Sequence, residues 1–271
     1  MKSTSYIKRP NQPLQIYAAL FLIVRYEPVL FLPLFSFNDS IYVKFPLTGL
    51  TFQWYVELME HEPVWAALMN SLKVGVTTSL ISTGLGIFAA KAITRYGLPA
   101  KGPIVGYIML PLVVPGIIFG VAPLVLISRM GIPLSLYTVT IGHVIVCLPF
   151  AIATMFPRFE GFDSSVEEAS ADLGENAWWT FWRVTFPMVF PGILASFLLT
   201  FTVSFDEFLM AFFLSGTDPT LPMYIWSQLR FPKEFPSILA LASIILVVSF
   251  FLVFLGQWIN RDARAGAVTG E

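Results

Sequence analysis

The reading turns on residues 167–187, EEASADLGENAWWTFWRVTFP. This stretch lies between two long apolar runs, yet it opens on an acidic two-turn segment and gathers Trp178, Trp179, Phe181 and Trp182. Ser165 and Glu168 have the spacing of a capping box, in which hydroxyl and carboxylate satisfy each other's unpaired backbone donors. Gly174 suits the left-handed residue that ends a helix. Between them Val166, Ala169 and Leu173 fall at i, i+3 and i+7 on one apolar stripe, with Glu167, Glu168 and Asp172 on other faces. A helix this short is not stable alone in water, so something must pack on it. An interfacial aromatic belt accounts for the tryptophans, but not for a capped acidic helix beyond the belt. The segment is therefore predicted to do two jobs: the aromatics seat it at the bilayer surface, and the short helix presents itself to a groove on another protein.

Composition sets the surroundings. Of 271 residues 56% are hydrophobic and 12% charged, with 26 phenylalanines, about half the charged fraction of a soluble domain. The chain reads as an all-α polytopic membrane protein. A formal net charge of −1 argues against nucleic acid as a partner, since phosphate neutralisation needs a basic face. The single cysteine, Cys147, permits no internal disulfide.

Runs of about 20 apolar residues are long enough to cross a bilayer. Six are read, at about 14–36, 66–93, 103–127, 134–156, 188–214 and 236–259. The first contains Arg25 and Glu27 just before Pro28, and is expected to be retained but interrupted; no small-residue cleavage site follows Val24. With an inside N-terminus, the inner loops and ends hold Lys2, Lys8, Arg9, Lys91, Arg95, Lys101, Arg158, Arg183, Arg261 and Arg264. The outer loops hold Lys44, Arg129, Arg230 and Lys233. That bias predicts both termini in the cytoplasm, with 157–187 on the same side.

The spacing of a phosphate-binding loop, G-x-x-x-x-G-K-[ST], is approached only from Gly97 to Gly102, where Pro103 follows instead of lysine. No catalytic residue is assigned. His143 and Cys147, four apart on one helical face, lack further ligands nearby, so a hydrogen bond between helices is expected from His143 and no metal site. Asp206 and Glu207 lie within the fifth apolar run, where a carboxylate costs roughly 2.5–3.5 kcal/mol on insertion scales and usually faces a cavity or a partner. Two readings stand: a cation-attracting site on a translocation path, or a structural pair with Lys73 or another subunit. Adjacent helical residues diverge by about 100°, so both carboxylates cannot line one narrow path; Asp206 is preferred for its place in the run Ser204-Phe205-Asp206-Glu207.

Glu168-Ala169-Ser170, three residues, Gly174, nine residues and Val184-Thr185-Phe186-Pro187 resemble the E-A-A…G…I-x-L-P signature of the inner-membrane permease subunits of binding-protein-dependent ATP-binding cassette importers. Ser170 replaces the second alanine, and Val184 and Phe186 replace similar apolar residues. Residues 143–174, 204–216, 221–230, 35–39 and 70–86 also look like the spermidine/putrescine permeases of the second-subunit type.

The resemblance implies a single permease domain over 1–271 with six transmembrane helices, the type I importer permease fold, in the bacterial inner membrane. By the same resemblance Glu168, Ala169, Ser170, Leu173 and Gly174 belong to a coupling helix that docks in a cleft of an ATPase subunit. The implied partners are a second homologous permease, two ATPase subunits holding ATP and Mg, an extracytoplasmic substrate-binding protein and membrane lipid, with no cofactor on this chain. A polyamine is the implied substrate. An opine or amino-acid-like substrate, or a carrier driven by an ion gradient through Asp206, Glu207 and His143, are the alternatives.

Overall fold

A computed structural model of the chain describes residues 12–96 and 98–268, the side chains of 252–253 and 255–268 excepted. Lys2, Lys8, Arg9 and Gly97, and the side chains of Arg261 and Arg264, lie outside the described residues. The helices run α1 Gln12–Ser36, α2 Gln53–Glu60, α3 Glu62–Arg95, α4 Lys101–Ile108, α5 Gly116–Arg129 and α6 Leu136–Glu160. They continue with α7 Ser165–Asp172, α8 Ala177–Thr180, α9 Phe186–Asp206, α10 Leu209–Leu214, α11 Leu221–Gln228 and α12 Phe235–Val268. A π-helical turn, Phe181–Thr185, joins α8 to α9.

Among the described residues four stretches are long and apolar enough to cross a membrane: α1, α3, α6 and the continuous Ala177–Asp206. Shorter apolar segments, Gly116–Arg129 and Phe235–Phe251, occupy the third and sixth expected places.

Three expectations are corrected. The first span is not interrupted: α1 passes Arg25 and Glu27 and holds Pro28 and Pro33 inside it, prolines that apolar spanning helices tolerate. The third span is not one helix. Pro111 and Pro115 each lack the N–H that would continue the ladder, and α4 gives way to a 3₁₀ turn, Leu110–Leu112, before α5 starts after Pro115. The fifth is broken too, with extended backbone at Glu207 between α9 and α10.

The chain divides into two compact units. The first comprises residues up to Glu62 and from Ser227 onward. There Asn38 organises the loop after α1, its side-chain oxygen accepting the Thr48 backbone N–H at 3.0 Å and its carbonyl accepting the buried Trp54 indole N–H at 2.9 Å.

The second unit, Pro63–Trp226, holds every candidate residue named above. Its axis is the pairing of α6 with α9. One core gathers Val74, Ile127, Val139, Met210, Ala211 and Leu214; another gathers Ile87, Ala90, Met155, Phe159 and Val189. Glycines let helices close: a Cβ on Gly86 would lie 2.8 Å from that of Ala151, and one on Gly75 would lie 3.0 Å from the Phe201 ring. Hydroxyls line the same contacts, Thr83 meeting Ser196 at 3.2 Å.

Candidate functional site

The short acidic helix forms where the spacing placed it, with a different start. The Ser165–Glu168 capping box is absent: the Asp163 carboxylate accepts the Ser165 backbone N–H at 3.0 Å and takes one of the unpaired donors instead. Hydrogen bonds from the Ser165 backbone and side chain hold the Asp163 carboxyl below the usual carboxylate range. At the other end Gly174 has φ +89°. Glu175 N–H donates to the Ser170 carbonyl at 3.2 Å and Gly174 N–H to the Ala171 carbonyl at 2.9 Å, which closes the helix as a Schellman motif.

The helix is seated on its polar side. Lys91 Nζ donates to Glu167 at 2.8 Å, Arg95 Nε lies 3.9 Å from the other carboxylate oxygen, and the Thr185 hydroxyl donates to Glu167 as well. Ser170 and Thr180 share a buried hydroxyl pair at 3.0 Å. Burial by itself would raise the Glu167 carboxyl; the hydrogen bonds from Lys91 and Thr185 and the charges of Lys91 and Arg95 outweigh it and hold the group below the usual range. With the Lys91 and Glu167 side chains 23% and 17% exposed, removing one partner is expected to cost more than the about 0–1 kcal/mol lost at a surface pair and less than the about 3–5 kcal/mol lost at a fully buried one.

The apolar stripe faces the other way. Val166 is 37% exposed and Leu173 87%, and Glu168, Ala169 and Asp172 are exposed beside them. The five residues named for docking thus separate: Glu168, Ala169, Leu173 and Gly174 lie outward, while Ser170 is buried against Thr180.

Beyond Gly174, the Asn176 side chain accepts from the backbone N–H of Trp178 and Trp179 at 3.1 and 3.0 Å and starts α8. Arg183 pairs with Glu175 and lies 4.6 Å from the Trp179 ring centre. Trp178, Trp179 and Trp182 remain exposed.

At the break in the fifth apolar run the two carboxylates part. Glu207 turns back on the chain and accepts the N–H groups of Leu209 and Met210 at 2.9 and 3.2 Å, so it caps α10. Asp206 is exposed, and among the described residues it makes no ion pair with Lys73. His143 Nδ1 lies 2.8 Å from the Ser204 hydroxyl, and Cys147 contacts the Thr200 carbonyl at 3.6 Å. Both therefore join α6 to α9. Among the described residues no three His, Cys, Asp or Glu side chains cluster to hold a metal ion.

Residues 82–265 match the family described as the binding-protein-dependent transport system inner membrane component. The chain belongs to this family. It is 32% identical to the spermidine/putrescine transport system permease protein PotC of Escherichia coli K12, over 93% of each chain. It is 33% identical to the putrescine transport system permease protein PotI of the same organism, over 88% of this chain and 87% of that one. Among solved structures, a bacterial ABC transporter involved in the import of the acidic polysaccharide alginate superposes with a TM-score of 0.69, at 18% identity, covering 94% of this chain and 99% of that chain.

This chain is thus an ABC importer permease with polyamine-permease relatives. The matched stretch contains both regions described above. In this permease the residues missed from sequence are Asp163, Lys91, Arg95, Thr180 and Thr185. Lys91 and Arg95 carried one signal, a four-residue spacing that puts two cations on one face at the end of a span. Asp163 carried another, an acidic residue just ahead of a helix start, and Thr180 and Thr185 carried none.

Proposed function

We propose that this permease, working as one domain over its whole length, forms half of the path for a small organic cation of the polyamine class. α7 then couples that path to an ATPase. The observation that carries the reading is the outward apolar stripe of α7: Glu167 and Ser170 are tied to α3, α8 and the π turn, and Val166, Ala169 and Leu173 are left outward beside Glu168 and Asp172. An eight-residue helix with its apolar stripe exposed matches a groove on a partner. Gly174 sets the turn that follows.

In this reading both termini and α7 lie on the cytoplasmic side of the inner membrane. Two ATPase subunits hold ATP and Mg, a second homologous permease completes the path, and an extracytoplasmic binding protein delivers the substrate. The names of the polyamine-permease relatives support the substrate class, and so does the exposed carboxylate of Asp206 at a broken helix, the usual place for ion and substrate contacts in transporters.

Leu173→Asp tests the docking. The residue is almost fully exposed, so the permease is expected to reach the membrane at its normal level and to lose its ATPase subunits on purification. Retention of the full complement with normal uptake overturns the reading.

A further inference from the structure

The inner face of α7 has a construction that docking alone does not require. Glu167 reaches two separate elements: Lys91 and Arg95 at the end of α3, and Thr185 at the end of the π turn. Ser170, three residues on, meets Thr180 at the residue that precedes that turn. In an α-helix residues five apart diverge by about 140°, and Thr180 and Thr185 would not both meet α7. Closure between residues five apart stacks them near one face. The π turn is what brings both threonines to the docking helix. Arg95 also donates to the Phe162 carbonyl at 2.6 Å and so fixes the chain that enters α7. Glu168, next to Glu167, is exposed.

We infer that Glu167 is a positioning residue: it latches α7 to α3 and, through Thr185, to the start of α9, so that a displacement of α7 carries both helices with it. The inference rests on the coupling reading above and deepens it. Without the latch, α7 is held among the described residues by two short loops, 161–164, which Arg95 fixes at Phe162, and 173–176, and by the Ser170–Thr180 bond, and a load on its outer face tilts it in place. With the latch, the same load reaches the second unit's core helices.

The test uses the assembled transporter, with spin labels at Phe88→Cys on α3 and Ala171→Cys on α7, both exposed positions. Cys147 is the chain's sole cysteine and is buried, so it takes no label. The label-to-label distance is read with and without ATP. The native latch keeps one narrow distance throughout. Glu167→Lys broadens it, makes it vary with ATP, and lowers hydrolysis stimulated by the loaded binding protein about tenfold, within the usual size of coupling between sites. The charge swap Glu167→Lys with Lys91→Glu narrows it again. Where Glu167→Lys does not assemble, Glu167→Gln serves, which removes the charge and keeps the shape. A distance as narrow in these variants as in the native chain overturns the inference, and so does a swap that assembles without restoring it. If Leu173→Asp meanwhile releases the ATPase subunits, the docking reading survives that failure; if it retains them with normal uptake, both fall.

Discussion

Two adjacent pairs of carboxylates invite comparison: Glu167–Glu168 on α7 and Asp206–Glu207 at the break between α9 and α10. In each pair one residue is tied inside the chain and its neighbour is exposed. On α7 neighbouring residues point about 100° apart, and at the break the chain leaves the helix between Asp206 and the extended Glu207, so geometry divides the work within each pair. In the first pair the leading residue is tied, by Lys91, Arg95 and Thr185. In the second it is the trailing one, held by the free N–H groups of α10. What decides is the partner within reach, a cation in one case and a helix start in the other. The helix ends differ as well: α7 closes on a glycine at φ +89°, and α9 stops where Glu207 becomes extended at φ −71° and ψ 112°.

The largest effect is expected where one of these ends is forced. Gly174→Val puts a β-branched residue at positive φ, at a cost of about 1–3 kcal/mol. A Cβ there meets nothing within 4 Å, so the strain lies in the backbone alone. Uptake by the assembled transporter should be nearly lost while the amount of permease in the membrane stays normal. Gly174→Asn, which tolerates the left-handed region, should keep most of it. Equal losses in the two variants would mean that the turn's conformation is not what matters.

Asp206→Asn should have the next largest effect. It keeps the side chain's shape and removes the exposed charge. Near a protein surface an opposite charge at about 4 Å is worth about 4 kcal/mol, against about 1 in bulk water. Spermidine uptake is expected to fall about tenfold with the complex intact. Glu207→Gln should do much less, because the amide oxygen can still accept from Leu209 and Met210; losing the charge at a helix start costs about 0.3–1 kcal/mol. Undiminished uptake in Asp206→Asn, or a greater loss in Glu207→Gln, would reverse the division of roles.

Sequence reasoning saw the outline of this molecule and missed its joints, for reasons that can be traced residue by residue. Apolar length marked α1, α3, α6 and the fifth run, because the bilayer selects on hydropathy. Hydropathy does not register backbone breaks, so the interruptions around Pro111 and Pro115 and at Glu207 went unread, although the two prolines were on view. Gly174 was legible because few residues other than glycine suit that φ. The choice of Glu167 over Glu168 was not, since it depends on Lys91, 76 residues away in the chain. The stripe of Val166, Ala169 and Leu173 was found correctly, but periodicity says which residues share a face and not whether that face looks inward.

The smallest effect expected is a pH response, and it sharpens the contrast between tied and exposed carboxylates. The folded chain holds Glu167 below the ordinary carboxylate range: the hydrogen bonds from Lys91 and Thr185 and the charges of Lys91 and Arg95 outweigh the burial that would raise it. A depressed pKa means that the folded state binds its proton less readily than the unfolded one. The stability this contributes is fully present above the unfolded value, about 4.3 for glutamate, and is lost as pH falls through the lower folded value. Between about pH 8 and about pH 5.5 the latch should therefore stay charged, and the Phe88–Ala171 label distance should not change. Acidification below about pH 4.3 should broaden it in the native chain. In Glu167→Gln the acidic step should disappear, since no proton is taken up at that position. A native distance that broadens already between about pH 8 and about pH 5.5 would mean that the carboxylate is not held by its cations, and that the first pair is not tied in the way the second is.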